Sequence, residues 1–188
     1  MSLLLALSVG CAMGPYGAPA GAELKRADDQ QGMIFDVTYN DPDDGIGLLV
    51  KESVMVTQDM LQSGDVVEMP LNNILVEITS GYSAAYILPA SAVSYVEDFE
   101  AACEGDGSEE CDAWFDIGQE RYVEFSGDYK DLGGLRPTYG YGGTDNRGIF
   151  EFYVFIDSVP SDDEGEAFPI PLFASIGVDA LTWSYDFE

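Results

Sequence analysis

The chain has 188 residues, with 35 Asp and Glu against 7 Lys and Arg and a formal net charge of -28 at pH 7. That balance excludes phosphate recognition and charge-driven adhesion to anionic lipid, which both need clustered cations, and the lack of any histidine excludes a Ser-His-Asp triad, a Cys-His dyad and imidazole metal ligation. Apolar residues at 46% allow a real core, and eleven Tyr and ten Phe favour strands.

The first feature in chain order is the apolar run Met1 to Gly10, MSLLLALSVG. It is too short to span a bilayer as a helix, which needs about 20 apolar residues, and it matches the apolar part of a secretory signal peptide. It ends at Cys11, just after the small residues Ser8 and Gly10. This junction resembles the lipobox of bacterial lipoproteins. The resemblance implies that residues 1–10 are removed and that Cys11 is lipidated and becomes the first mature residue. Ala12 in place of Asp after the cysteine then implies sorting to the outer membrane or cell surface, with the membrane as partner through the lipid anchor. Two other readings stay open: cleavage at the A-x-A site Ala18-Pro19-Ala20, giving a free secreted protein, or a buried N-terminal strand. Residues 11–31, rich in Gly, Pro and Ala and then polar, predict a flexible tether behind the lipidated cysteine.

Residues 32–188 predict one β domain. Strands are expected at Met33 to Tyr39 (alternating), Leu48 to Val56, Val66 to Met69, Ile74 to Thr79, Ala84 to Leu88 and Ala92 to Val96. Asn40 to Gly45 is a strong turn signal, and Met60 to Asp65 reads as a polar turn. Asp98 to Asp116 reads as an acidic loop. Further strands are expected at Arg121 to Ser126, Ile149 to Asp157, Pro171 to Val178 and Leu181 to Phe187, with Gly127 to Gly148 as a long Gly/Tyr/Pro-rich excursion. No stretch shows a capped helical period. These short strands with turns between them predict an all-β, antiparallel β-sandwich with long loop insertions.

Two segments resemble the bacterial immunoglobulin-like domains of invasin- and intimin-type adhesins. They are Pro70-Leu71-Asn72-Asn73-Ile74-Leu75-Val76-Glu77-Ile78 and Thr144-Asp145-Asn146-Arg147-Gly148-Ile149-Phe150-Glu151-Phe152. The local chemistry of the second is plain: Asp145 and Asn146 can bond back to the turn backbone, and Gly148 supplies a permissive dihedral before a strand. The resemblance implies an immunoglobulin-like sandwich with an adhesive or spacer role, and it carries over no catalytic residue.

Three cysteines are an odd number for an exported chain. With Cys11 taken by lipid, Cys103 and Cys111 remain to pair across the loop EGDGSEE, a disulfide worth roughly 2–3 kcal/mol by loop closure. Two free buried thiols are the alternative.

Candidate sites follow the loops. Asp41, Asp43 and Asp44 before Gly45 are the nearest approach to a Ca²⁺ loop, although the distal bidentate Glu is missing. Glu104, Asp106, Glu109, Glu110, Asp162, Asp163, Glu164 and Glu166 read as solvated charge. Tyr129, Arg136, Tyr139 and Tyr141 in the Gly-rich excursion offer an aromatic binding surface, or else pack over a sheet edge. The expectation is an exported, non-catalytic adhesion, assembly or envelope-structural lipoprotein, meeting protein or glycan at the cell surface. A ligand-binding sandwich module for glycan or Ca²⁺ is the alternative. No enzyme, nucleic-acid partner or cofactor other than Ca²⁺ is expected.

Overall fold

The computed structural model describes residues 15–27, 33–39, 46–96, 114–116, 122–125, 137–161 and 166–187. The predicted leader (1–10), Cys11, Cys103 and Cys111, Asp41, Asp43, Asp44, Tyr129 and Arg136 lie outside these residues. The described chain is nearly all β, in two antiparallel sheets, with a single 3-10 turn at Ala90–Ala92 among the described residues.

The spine is a 17-residue strand, here β3 (Ile46–Gln62). Four strands pair with it. On one edge lie β2 (Met33–Tyr39) and β1 (Ala22–Arg26); on the other lie β11 (Ile149–Ile156) and β4 (Asp65–Pro70). The sheet continues through β6 (Ala85–Pro89) beyond β11. On the far side of β2 come β8 (Trp114–Asp116), β9 (Tyr122–Phe125) and β7 (Val93–Val96). The second sheet has four strands in the order β10 (Tyr139–Gly143), β5 (Leu75–Ser80), β12 (Ile170–Ser175) and β13 (Ala180–Tyr185).

The sheets face each other because alternation points one side of each inward. Val50, Val54 and Val56 of β3, with Phe152 and Val154 of β11, meet Val76 and Ile78 of β5 and Ile170, Leu172 and Ala174 of β12 in one core. Each such side chain gains roughly 1.5–3 kcal/mol on burial. β11 and β6 are covered on their other face too, where Tyr86 stacks on Phe155 at 6.3 Å. Hence the apolar runs Phe152 to Ile156 and Ala85 to Leu88: a strand buried on both sides loses the polar alternation.

Several sequence expectations are corrected. The tether reading of 11–31 does not hold for residues 15–27. Tyr16 bridges Ile74, β1 pairs with β3 from Ala22 to Arg26, and Ala22, Leu24 and Ala27 are buried. The expected turn at Met60 to Asp65 is narrower than that span: Met60 to Gln62 end β3 and Asp65 opens β4. The chain reverses at Ser63 and Gly64, whose φ values of 55° and 97° suit a tight two-residue hairpin turn. Trp114–Asp116 forms a strand where an acidic loop was expected, and Tyr139–Gly143 forms one inside the expected excursion.

The two motif segments meet in space. Thr144 Oγ1 donates to the Leu71 carbonyl at 2.6 Å and accepts from Ile74 N–H at 3.0 Å. Asn73 N–H donates to the Thr144 carbonyl, and Thr144 N–H to that of Ile74. Asp145 Oδ1 accepts from the backbone N–H of Arg147 and Ile149, as the turn chemistry requires. Gly148, at φ 76°, has the Val56 carbonyl only 2.6 Å from where a Cβ would sit. These contacts fix where β5 and β10 begin and end.

Candidate functional site

Two groups of side chains stand out, one exposed and one centred on a buried carboxylate. The exposed group lies on the outer face of the four-stranded sheet. In β5, Val76 and Ile78 point to the core, so Glu77 and Thr79 point to solvent. In β12, Leu172 and Ala174 point in and Phe173 points out. In β10 the inward positions are Gly140 and Gly142, leaving Tyr139 and Tyr141 outward.

The glycines are a steric requirement. A Cβ on Gly142 would sit 2.3 Å from Phe150 Cε2, and one on Gly140 would sit 2.6 Å from Ile87 Cγ2. β10 therefore lies closer to the opposite sheet than a strand with side chains could. Its seat is tightened by Ile87 N–H, which donates to the Pro137 carbonyl at 2.8 Å.

Register then aligns the outward residues. Tyr139 lies opposite Thr79, Thr79 opposite Phe173, and Phe173 opposite Thr182. The next row is Tyr141, Glu77, Ser175 and Ala180. Tyr139, Phe173 and Tyr141 keep 43%, 45% and 65% of their surface exposed. The two tyrosine rings stand 5.9 Å apart, and Tyr139 Oη donates to Glu77 Oε1 at 2.6 Å. That hydrogen bond is the main cause holding the Tyr139 phenol above its ordinary pKa, so the hydroxyl stays a donor at physiological pH. Beside the rings, between β10 and β6, is a cavity of about 300 Å³ lined by Ile87, Leu88, Pro89, Phe150 and the two tyrosines.

The second group joins the sheets from inside. Glu52 of β3 is 0% exposed. Both of its oxygens accept from Arg26 Nη2, at 2.8 and 2.9 Å, and Tyr185 Oη donates to Oε1 at 2.9 Å. The Arg26 guanidinium sits over the Trp183 ring, 5.4 Å from its centroid. Burial, with Glu52 alongside, pushes the Tyr185 phenol far above its usual range, so it remains a neutral donor. Among the described residues, Arg26 Nε and Ser53 Oγ are buried without a hydrogen-bond partner. Arg26 belongs to β1, Glu52 to β3, and Trp183 and Tyr185 to β13. The cluster thus fastens the N-terminal and C-terminal strands to the spine.

Of the aromatic residues singled out in the sequence, Tyr139 and Tyr141 come together. Phe173, Thr79, Glu77 and Thr182, and the whole Arg26–Glu52–Tyr185 cluster, were not foreseen. An aromatic at an outward phase, as at Phe173 between buried Leu172 and Ala174, was the available signal for the first set. Among the described residues, no three Cys, Asp or Glu gather as a metal-binding group.

No family model, curated protein or solved structure matches the chain.

Proposed function

We propose that the chain is an exported, lipid-anchored β-sandwich of immunoglobulin-like type, acting as a non-catalytic recognition module at the cell surface. Its contact surface is the outer face of the four-stranded sheet around Tyr139 and Tyr141. The observation that carries this reading is the pair of exposed tyrosine rings, 5.9 Å apart, on a strand seated by close-packed glycines. Tyr offers a large contact area at little entropic cost, and a rigid strand reduces that cost further. The Cys11 junction supports export, and the two interlocked motif segments support the immunoglobulin-like type.

The test is retention of the purified full chain on envelope material from its own host. A Tyr139→Ala/Tyr141→Ala double variant, with an unchanged far-ultraviolet circular dichroism spectrum, is expected to lose at least tenfold in retention. Equal retention by variant and parent contradicts the assignment of the surface.

A further inference from the structure

We infer that the outer face of the four-stranded sheet takes an extended, neutral, β-linked polysaccharide chain. The inference rests on the recognition reading above and adds the ligand class.

Three observations converge on it. First, the aromatic rings are spread across the face of the sheet and not gathered at a point. Tyr139 and Phe173 lie in one row two strands apart, which at the usual strand spacing is roughly 10 Å, about the length of a disaccharide. Sugar rings present C–H faces that lie down on aromatic planes, so rings at this spacing suit successive units of a straight chain.

Second, most positions beside the rings are polar. Thr79 sits between Tyr139 and Phe173, Thr182 lies beyond Phe173, and Glu77 and Ser175 follow Tyr141 in the adjoining row. Hydroxyls act as both donor and acceptor, matching the equatorial rim of a sugar. Glu77 is held in place by Tyr139 Oη, and an ionised carboxylate has acceptor capacity beyond that one bond.

Third, neither row contains a cation, and the chain carries a net charge of -28. A phosphate-bearing or uronate-bearing polymer is repelled from such a face. Bases stack on aromatic rings as sugars do, but nucleic acids bring a phosphate backbone that needs Lys and Arg here. A lipid surface would leave the hydroxyls and Glu77 without partners. A neutral polysaccharide satisfies the rings, the hydroxyls and the charge together.

The experiment is depletion of the full chain from solution by microcrystalline cellulose and by chitin, with polygalacturonate gel as the anionic comparison, at about 0.1 and 1 M NaCl. Expected is retention by cellulose or chitin at both salt concentrations and none by polygalacturonate. Phe173→Ala and Tyr141→Ala should each weaken retention at least fivefold, with melting midpoints showing both variants folded. Retention on neither neutral polymer, or Phe173→Ala binding like the parent, overturns the inference. If envelope retention still depends on Tyr139 and Tyr141 in that case, the recognition reading stands and only the ligand class falls. Preference for polygalacturonate also overturns it.

Discussion

Glu52 is a single carboxylate on which two sheets converge. Removing it by Glu52→Ala leaves the Arg26 charge and the Tyr185 hydroxyl without their shared acceptor, so the variant is expected to lose about 3–5 kcal/mol. The loss reads out as a lower urea midpoint at unchanged m. Arg26→Met combined with Glu52→Leu should recover much of it, because a well-packed apolar pair costs less than an orphaned charge. A single-variant loss below about 1 kcal/mol contradicts the cluster as described. Asp145 makes a pH prediction. Burial acts to raise its pKa, but hydrogen bonds from Ile149 N–H and from the side chain and N–H of Arg147, with the Arg147 charge, outweigh this and hold it low. A lowered folded value means that the stabilisation is complete above the ordinary Asp range, near pH 4, and is lost as pH falls through the lower folded value. Unfolding curves between about pH 2 and 5 should show Asp145→Ala less sensitive to acid than the parent. The carboxylate is part-exposed, so the difference is small. Parallel acid limbs contradict it.

At the scale of elements, β10 and the Thr144 junction determine where the aromatic face sits. Gly142→Ala drives a methyl group into Phe150 and is expected to cost about 1–3 kcal/mol. Thr144→Val keeps the shape but strands the Leu71 carbonyl and Ile74 N–H, for about 1–3 kcal/mol; thermal melting measures both, and unchanged midpoints contradict the packing. The legible strands were those whose sequence alternates or runs apolar, and in β5 and β11 that pattern reflects one buried face or two. β2, β5, β11 and β13 announced themselves by alternation or by apolar runs, within a residue or two of their ends. The β3–β4 ribbon hid its length because its far end is exposed on both faces. Leu61 pairs with Val66, both exposed, and exposed Met60 pairs with half-buried Val67, with no closed inside to set a rhythm. β1 hid because three Gly and two Pro between Met13 and Ala22 dominate its approach, while its burial rests on Ala22 and Leu24. β10 hid because its sequence, YGYGG, reads as a turn until Phe150 and Ile87 are seen to need the space. The site was half legible for the same reason. The tyrosines drew notice by composition, but Phe173, Thr79 and Glu77 become neighbours only through cross-strand register, which a single chain does not display.

At the scale of the molecule, the surplus of acid governs the solution behaviour. With a net charge of -28, self-repulsion opposes folding and weakens as salt shortens the screening length from about 30 Å at 0.01 M to about 3 Å at 1 M. The melting midpoint should therefore rise over that range of NaCl, and a flat or falling midpoint contradicts a solvated acidic surface. The placement of that surface outside the cell is the claim from which the recognition role follows. Intact-mass measurement of the protein made in its native host tests it most directly. The account predicts loss of residues 1–10, acyl chains on Cys11, and a mass two hydrogens short for the joined Cys103 and Cys111. A full-length, unacylated chain with three reactive thiols would contradict it.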